Sequence, residues 1–254
     1  MLLELLPLVI LGAVLGLDVV SFPQAMLSRP IVAATIGGAI VGEPMRGLLA
    51  GAALEFFALE TLPFGASRYP EWGSASVVGG VLFASQPESR AGALATAVVA
   101  ALIVAWVGGW SMVELRRLNA RWARAKHQAI VSGSKRAVEE LQLMGMTADL
   151  ARGALLTLVA LLVFVPACRL ALAQWSGDPR ISRGVVVAAA AAVAGATAWK
   201  VFHATPGARW LQFPRHCRSS AWLLWPSRRI GGREHADADR PAEPDRLRAA
   251  LRAA

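Results

Sequence analysis

Glu55 sits inside the apolar run GLLAGAALEFFAL (47–59). A carboxylate at mid-membrane depth costs roughly 2.5–3.5 kcal/mol on insertion scales. A chain keeps such a group where it lines a polar cavity or pairs internally. One reading makes Glu55 a paired acceptor for the vicinal hydroxyls of a polar ligand. The other makes it the structural partner of an arginine, with Arg29 as the candidate. Asp18 and Gln24 bracket the polar interruption around SFPQAMLSR (21–29). The Gln24 amide supplies donor and acceptor to neighbouring hydroxyls, and Asp18 is either a ligand contact or a cap at the break. Pro63, Gly65 and Ala66 read as backbone of a loop that approaches a ligand closely, ended by Glu71 and Trp72. Trp72 and Phe56 offer faces for stacking, with an interfacial anchor as the alternative for Trp72. Ser28, Arg29 and Pro30 anchor the segment that follows them.

Soluble-type catalysis has no constellation here. His127, His203, His216 and His235 are scattered, and Cys168 and Cys217 form no CxxC pair. No Walker A loop, GxSxG elbow, GxGxxG or metal-ligand spacing occurs. No metal or cofactor is expected.

The elements that must position these residues are apolar. The chain has 254 residues, 56% of them hydrophobic and only 17% charged, where a soluble domain carries about 25% charge. The surplus lies in runs. Residues 2–20 read as a retained membrane helix, without the charged start and small-residue cleavage site of a signal peptide. Residues 31–42 are too short to cross about 30 Å of hydrocarbon as a helix. Breaks at Pro23, Pro30 and Glu43-Pro44 separate them from their neighbours, and TLPFGASRYPEWGS (61–74) follows the Glu55 run. Short apolar pieces divided by Pro and Gly mark broken or re-entrant helices, tolerated where backbone lines a cavity. Ordinary helices with tight loops are the alternative. Apolar residues 74–86 and a long span at 91–113 come next, with Gly92, Gly108 and Gly109 permitting close helix contact. Residues 153–175, with Pro166 inside, and 184–204 read as two further spans.

The net charge of +9 is unevenly placed. Residues 1–113 carry a net −3, 114–204 a net +7, and 205–254 a net +5. The cations lie mostly outside the apolar runs, as in cytoplasmic loops of membrane proteins, which argues against nucleic-acid binding. Residues 114–136 hold seven Arg/Lys and one acid, with apolar residues at three- and four-residue spacing. That pattern predicts a basic amphipathic helix on the membrane surface. The expected organisation is therefore a membrane region with broken helices and the ligand site at 1–113, a basic cytoplasmic surface segment at 114–152, two transmembrane helices at 153–204, and a basic, partly disordered cytoplasmic tail at 205–254. The fold class is an all-α polytopic integral membrane protein.

The stretch from Leu17 to about Gly80 resembles the IIC component of the mannose/fructose/sorbose family of phosphotransferase-system sugar permeases. The resemblance is carried by Ser28-Arg29-Pro30, Gly42-Glu43, Gly47 and Gly51, Leu54-Glu55, and Leu62-Pro63-Phe64-Gly65-Ala66, in that order. It implies a multi-pass subunit of the bacterial inner membrane, in an oligomer, that pairs with a IID membrane subunit and moves a hexose or related sugar inward. Soluble IIA and IIB subunits would relay phosphate from phosphoenolpyruvate. The phosphorylated residue would lie on IIB, so this chain needs no catalytic residue of its own. The implied sugar site falls on Glu55, Gln24 and Asp18. Two departures stand out. Tyr69-Pro70-Glu71-Trp72 carries one acid where the family commonly has a pair, and the resemblance fades after Arg209-Trp210-Leu211 into Arg-rich sequence. A degenerate, non-transporting anchor or regulator of soluble phosphotransferase proteins is the alternative these departures raise.

Overall fold

The computed structural model describes residues 2–18, 25–60, 68–87 and 90–203. Gln24, Pro63, Gly65, Ala66 and the tail from 205 lie outside the described residues. Those described form eight helices and no strand: α1 (Leu2–Asp18), α2 (Pro30–Ile40), α3 (Pro44–Ala58), α4 (Trp72–Ala84), α5 (Ala93–Ala125), α6 (His127–Val131), α7 (Lys135–Ala173) and α8 (Pro179–His203).

The breaks in the first half follow from their punctuation. Pro30 and Pro44 occupy the first positions of α2 and α3, where a missing N–H costs nothing. Arg29, which precedes Pro30, is extended (φ −61°, ψ 136°), as a pre-proline residue prefers. Gly42 turns the chain between the two helices with φ 89°, a conformation open to glycine at little cost. At 1.5 Å per residue α2 is about 16 Å long and α3 about 22 Å, so neither crosses a bilayer. Together they form the broken-helix hairpin expected from the proline spacing.

Glycine sets how closely these pieces pack. A Cβ on Gly47 would strike the Ala34 carbonyl, and one on Gly80 would strike the Ala34 backbone. α2 therefore touches α3 and α4 main chain to main chain. α4 is the centre of the bundle: every residue from Gly73 to Ala84 is buried, against α1, α2, α3, α5 and α7. Its sequence, WGSASVVGGVLFA, is small or apolar on all faces, as a helix enclosed on all sides requires. α1 runs antiparallel to α7 along a second close seam, where Gly12 faces Thr157 and Gly16 faces Gly153.

Three helices, α5, α7 and α8, are long and apolar enough to cross a membrane. α5 has 33 residues and α7 has 39, about 50 and 58 Å of helix against about 30 Å of hydrocarbon. Pro166 stays inside α7. Here the structure redraws the expected organisation. The boundaries at 113/114 and 152/153 both fall inside continuous helices, because no Pro or Gly between Glu114 and Ala125 stops α5 and the single Gly145 does not stop α7. The basic stretch is one arm of a two-helix hairpin. The distal part of α5 and the first part of α7 are its arms, joined by α6 and the Gly133 turn (φ 81°). Lys126 Nζ donates to Glu140 Oε2 across them at 2.6 Å. α8 is the least enclosed span, with only 11% of its apolar window buried.

Candidate functional site

The ends of the broken helices bring four of the expected site residues, Asp18, Ser28, Arg29 and Glu55, into one node. Asp18, the last residue of α1, is 2% exposed. Its two carboxylate oxygens accept from the Ala25 N–H at 2.7 Å and the Ser28 N–H at 2.9 Å. Asp18 thus holds the turn that leads into α2, including Met26 in the left-handed region (φ 59°). The next residue, Arg29, forms an ion pair with Glu55 of α3. The other oxygen of Glu55 accepts from the Ile31 N–H at 3.2 Å, an N-terminal amide that the α2 cap residue Arg29 leaves without a side-chain partner. Two carboxylates from different helices therefore grip consecutive residues, Ser28 and Arg29. Neither member of the Arg29–Glu55 pair is sealed off, with side-chain exposures of 42% and 19%.

The structure thus places Arg29 and Glu55 as the partners that the structural reading anticipated, while leaving this pair open on one side. Pro30 is buried at the start of α2. Phe56, the next residue after Glu55, is exposed, and Trp72 packs partly against the core.

Glu71 belongs to a second node. It is fully buried and caps α4 through Ser74 N–H to Oε1 at 3.1 Å, while Oε2 has no hydrogen-bond partner among the described residues. Its own N–H donates to the Ala105 carbonyl of α5 at 2.9 Å. Gly108 and Gly109 make this approach feasible: a Cβ on Gly108 would meet Glu71 Cβ at 2.8 Å, and one on Gly109 would strike the Tyr69 carbonyl. The chain just before Glu71 is clamped to α5 as well. Arg68 lies over the Trp106 ring at 4.7 Å, and Arg116 lies over Tyr69 while donating to its hydroxyl at 2.8 Å.

Sequence reasoning did not single out the α7 side of this node. Arg152 Nε donates to Asp149 Oδ1 at 2.9 Å and Nη1 to Ser111 Oγ at 3.4 Å, with side-chain exposures of only 8% and 5% for Arg152 and Asp149. The signal was an Asp-x-x-Arg pair, at i,i+3 spacing on one helix face, immediately before the apolar run at Gly153. Arg46 was missed too. It is buried in α3, donates to the carbonyls of Ala84, the last residue of α4, and of Gln86 just beyond it, and stacks on Phe83 at 4.8 Å. Those are carbonyls that the end of a helix leaves unpaired.

No group of three or more His, Cys, Asp or Glu among the described residues is placed to hold a metal. What the geometry offers is a polar node at the ends of half-length helices. That defines the class: an all-α, multi-pass membrane protein built around broken helices. A family model described as the sorbose-specific IIC component of the PTS system matches residues 2–201, and the chain belongs to that family of phosphotransferase-system permease components. It is 25% identical over 165 residues to the fructose permease IIC component of Bacillus subtilis (strain 168), a match spanning 65% of this chain and 60% of that relative. Among solved structures, one described as a membrane protein superposes with a TM-score of 0.62 at 18% identity, over 80% of this chain and 84% of the other. The mannose transporter ManYZ, solved in complex with microcin E492, superposes with a TM-score of 0.56 at 19% identity, over 80% and 79%. These two likenesses are of fold.

Proposed function

We propose that this chain carries a hexose or related sugar across the bacterial inner membrane together with a IID membrane subunit. Soluble IIA and IIB subunits supply phosphate from phosphoenolpyruvate, and the sugar is phosphorylated by IIB rather than by any residue of this chain. The observation that carries the reading is the partly open Arg29–Glu55 pair where α2 and α3 end within the bundle. A guanidinium and a carboxylate side by side supply donors and acceptors for adjacent hydroxyls, and half-helix ends near the bilayer middle are where transporters place polar substrates. Gln24, Gly65, Ala66 and Pro63 belong to the two segments that flank these ends in sequence, and in this reading they complete the site. Asp18 orients the turn behind it. Glu71 supports the chain leaving the second segment. In this reading the basic hairpin faces the cytoplasm, which the distribution of Lys and Arg supports.

Reconstitution with the cognate IID, IIA and IIB subunits tests the reading. Phosphoenolpyruvate-dependent uptake of at least one hexose, lost in Glu55→Gln with membrane insertion unchanged, is the expected result. Absence of uptake for every sugar in a hexose and amino-sugar panel would overturn it.

A further inference from the structure

The hairpin beyond the apolar runs encloses a groove of about 860 Å³ between the distal part of α5 and the first part of α7. Its walls run from Met112 to Ala123 on one arm and from Asp149 back to Val138 on the other. Each wall covers eleven residue steps, about 16 Å or three helical turns. The lining is mainly apolar, with Leu115, Leu141 and Met146 among it, and Val138 is 50% exposed. Apart from Met112 its lining lies beyond the apolar runs, since that of α5 ends at residue 113 and that of α7 begins at Gly153. A three-turn apolar trough between two helices matches an amphipathic helix laid lengthwise.

The charge on the hairpin states the character of that helix. Its four carboxylates are all paired with cations of the same hairpin: Glu114 with Arg117, Glu139 with Lys135, Glu140 with Lys126 and Arg136, and Asp149 with Arg152. Arg121 and Arg124 have no carboxylate partner among the described residues and are exposed. Arg124 directly follows the groove residue Ala123. The surplus is positive, so an approaching acidic surface is attracted and a basic one repelled.

We propose that this groove docks an acidic amphipathic helix of a soluble protein partner. The floor of the groove is continuous with the second polar node. Arg116 lines it and holds Tyr69, and Asp149 lines it and holds Arg152. The occupant therefore sits against the residues that clamp segment 68–71 to α5.

The test uses the full chain in nanodiscs, with purified IIA and IIB subunits of the same transport system as probes; only this choice of probe rests on the proposed function. One subunit is expected to bind, at least tenfold more weakly at 300 than at 50 mM salt, as surface charge attraction requires. Ala123→Trp, which fills the groove, and Arg124→Glu, which leaves its packing unchanged, are each expected to weaken binding about tenfold. Leu143→Trp, at an exposed position on the same hairpin, is expected to have no effect. A photoreactive residue at Ala120 is expected to crosslink to an acidic helix of the probe. Binding by neither subunit, binding indifferent to Ala123→Trp, equal loss in Leu143→Trp, or crosslinking to lipid or a second copy of this chain would overturn the proposal. Such a failure beside intact sugar uptake leaves the permease reading standing. Groove-dependent binding without uptake of any sugar overturns the permease reading alone.

Discussion

Arg29 and Glu55 carry two jobs that one substitution does not separate. The pair closes the open end of the α2–α3 hairpin, and Glu55 also caps the Ile31 amide. Glu55→Gln removes a charged hydrogen bond of about 1.5–3 kcal/mol, reduced here by the 42% exposure of Arg29. The exchange Arg29→Glu with Glu55→Arg restores the ion pair. If the pair only holds the hairpin, the exchange recovers both thermal stability in detergent and sugar uptake. We expect recovery of stability alone, with uptake still at least tenfold down, because the hydroxyl donors and acceptors are then reversed in space. The sequence pointed to Glu55 through its apolar neighbours, and even to Arg29 as its partner. It did not point to Asp149 and Arg152. A carboxylate inside an apolar run stands out by itself, whereas an Asp-x-x-Arg pair at the edge of one looks like any solvated helix turn until Ser111 and Glu71 are placed against it.

The helices differ in how much of their placement local chemistry determines. α2, α3 and α4 were bracketed by Pro, Gly and polar breaks, and their ends fall within a few residues of those marks. The end of α5 and the start of α7 lie well beyond the apolar runs because a change from apolar to basic composition does not end a helix; only a breaker or an unsatisfied cap does. The close packing of α2 on α3 yields a sharp expectation. Gly47→Ala drives a Cβ into the Ala34 carbonyl and is expected to cost about 1–3 kcal/mol, seen as a lower Tm in detergent. Gly195→Ala, in α8, meets nothing within 4 Å and is expected to be neutral or stabilising by up to about 1 kcal/mol through helix propensity. The hairpin carries a pH signature. Hydrogen bonds from Lys126 and Arg136 hold the exposed Glu140 carboxyl below its ordinary range. Its contribution is therefore present above the unfolded carboxylate pKa, near 4.3, and is lost as pH falls through the lower folded value. Amide exchange across residues 126–140 is expected to quicken below that point in the wild type. Glu140→Gln is expected to show little such acid-dependent step.

For the molecule as a whole, the arrangement of charge gives a topology that labelling can read. The α5–α7 hairpin and the α4–α5 turn lie at opposite ends of α5, since α4 runs antiparallel to it, with Glu71 beside Ala105 and Gly79 beside Ala101. With Cys168 and Cys217 replaced by alanine, Arg124→Cys is expected to react with a membrane-impermeant maleimide only after spheroplasts are opened, and Ser85→Cys before. The reverse pattern would place the basic hairpin outside. The overall class followed from the apolar runs and their breaks, and the family from five short motifs in order. The node that joins α1, α4, α5 and α7 did not, because it depends on contacts between residues far apart in the chain, such as Ser74 Oγ donating to the Gly12 carbonyl across 62 positions and Gly16 lying against Gly153. The glycine seams have a mechanical consequence. Where main chain rests on main chain there is no side-chain layer to deform, so α1 with α7, and α2 with α3 and α4, form joints without slack. Any stroke that moves the polar node across the bilayer then has to carry these helices together, like a cut stone rather than a hinge. Compliance is left to the sparsely packed α8 and to the α5–α7 hairpin.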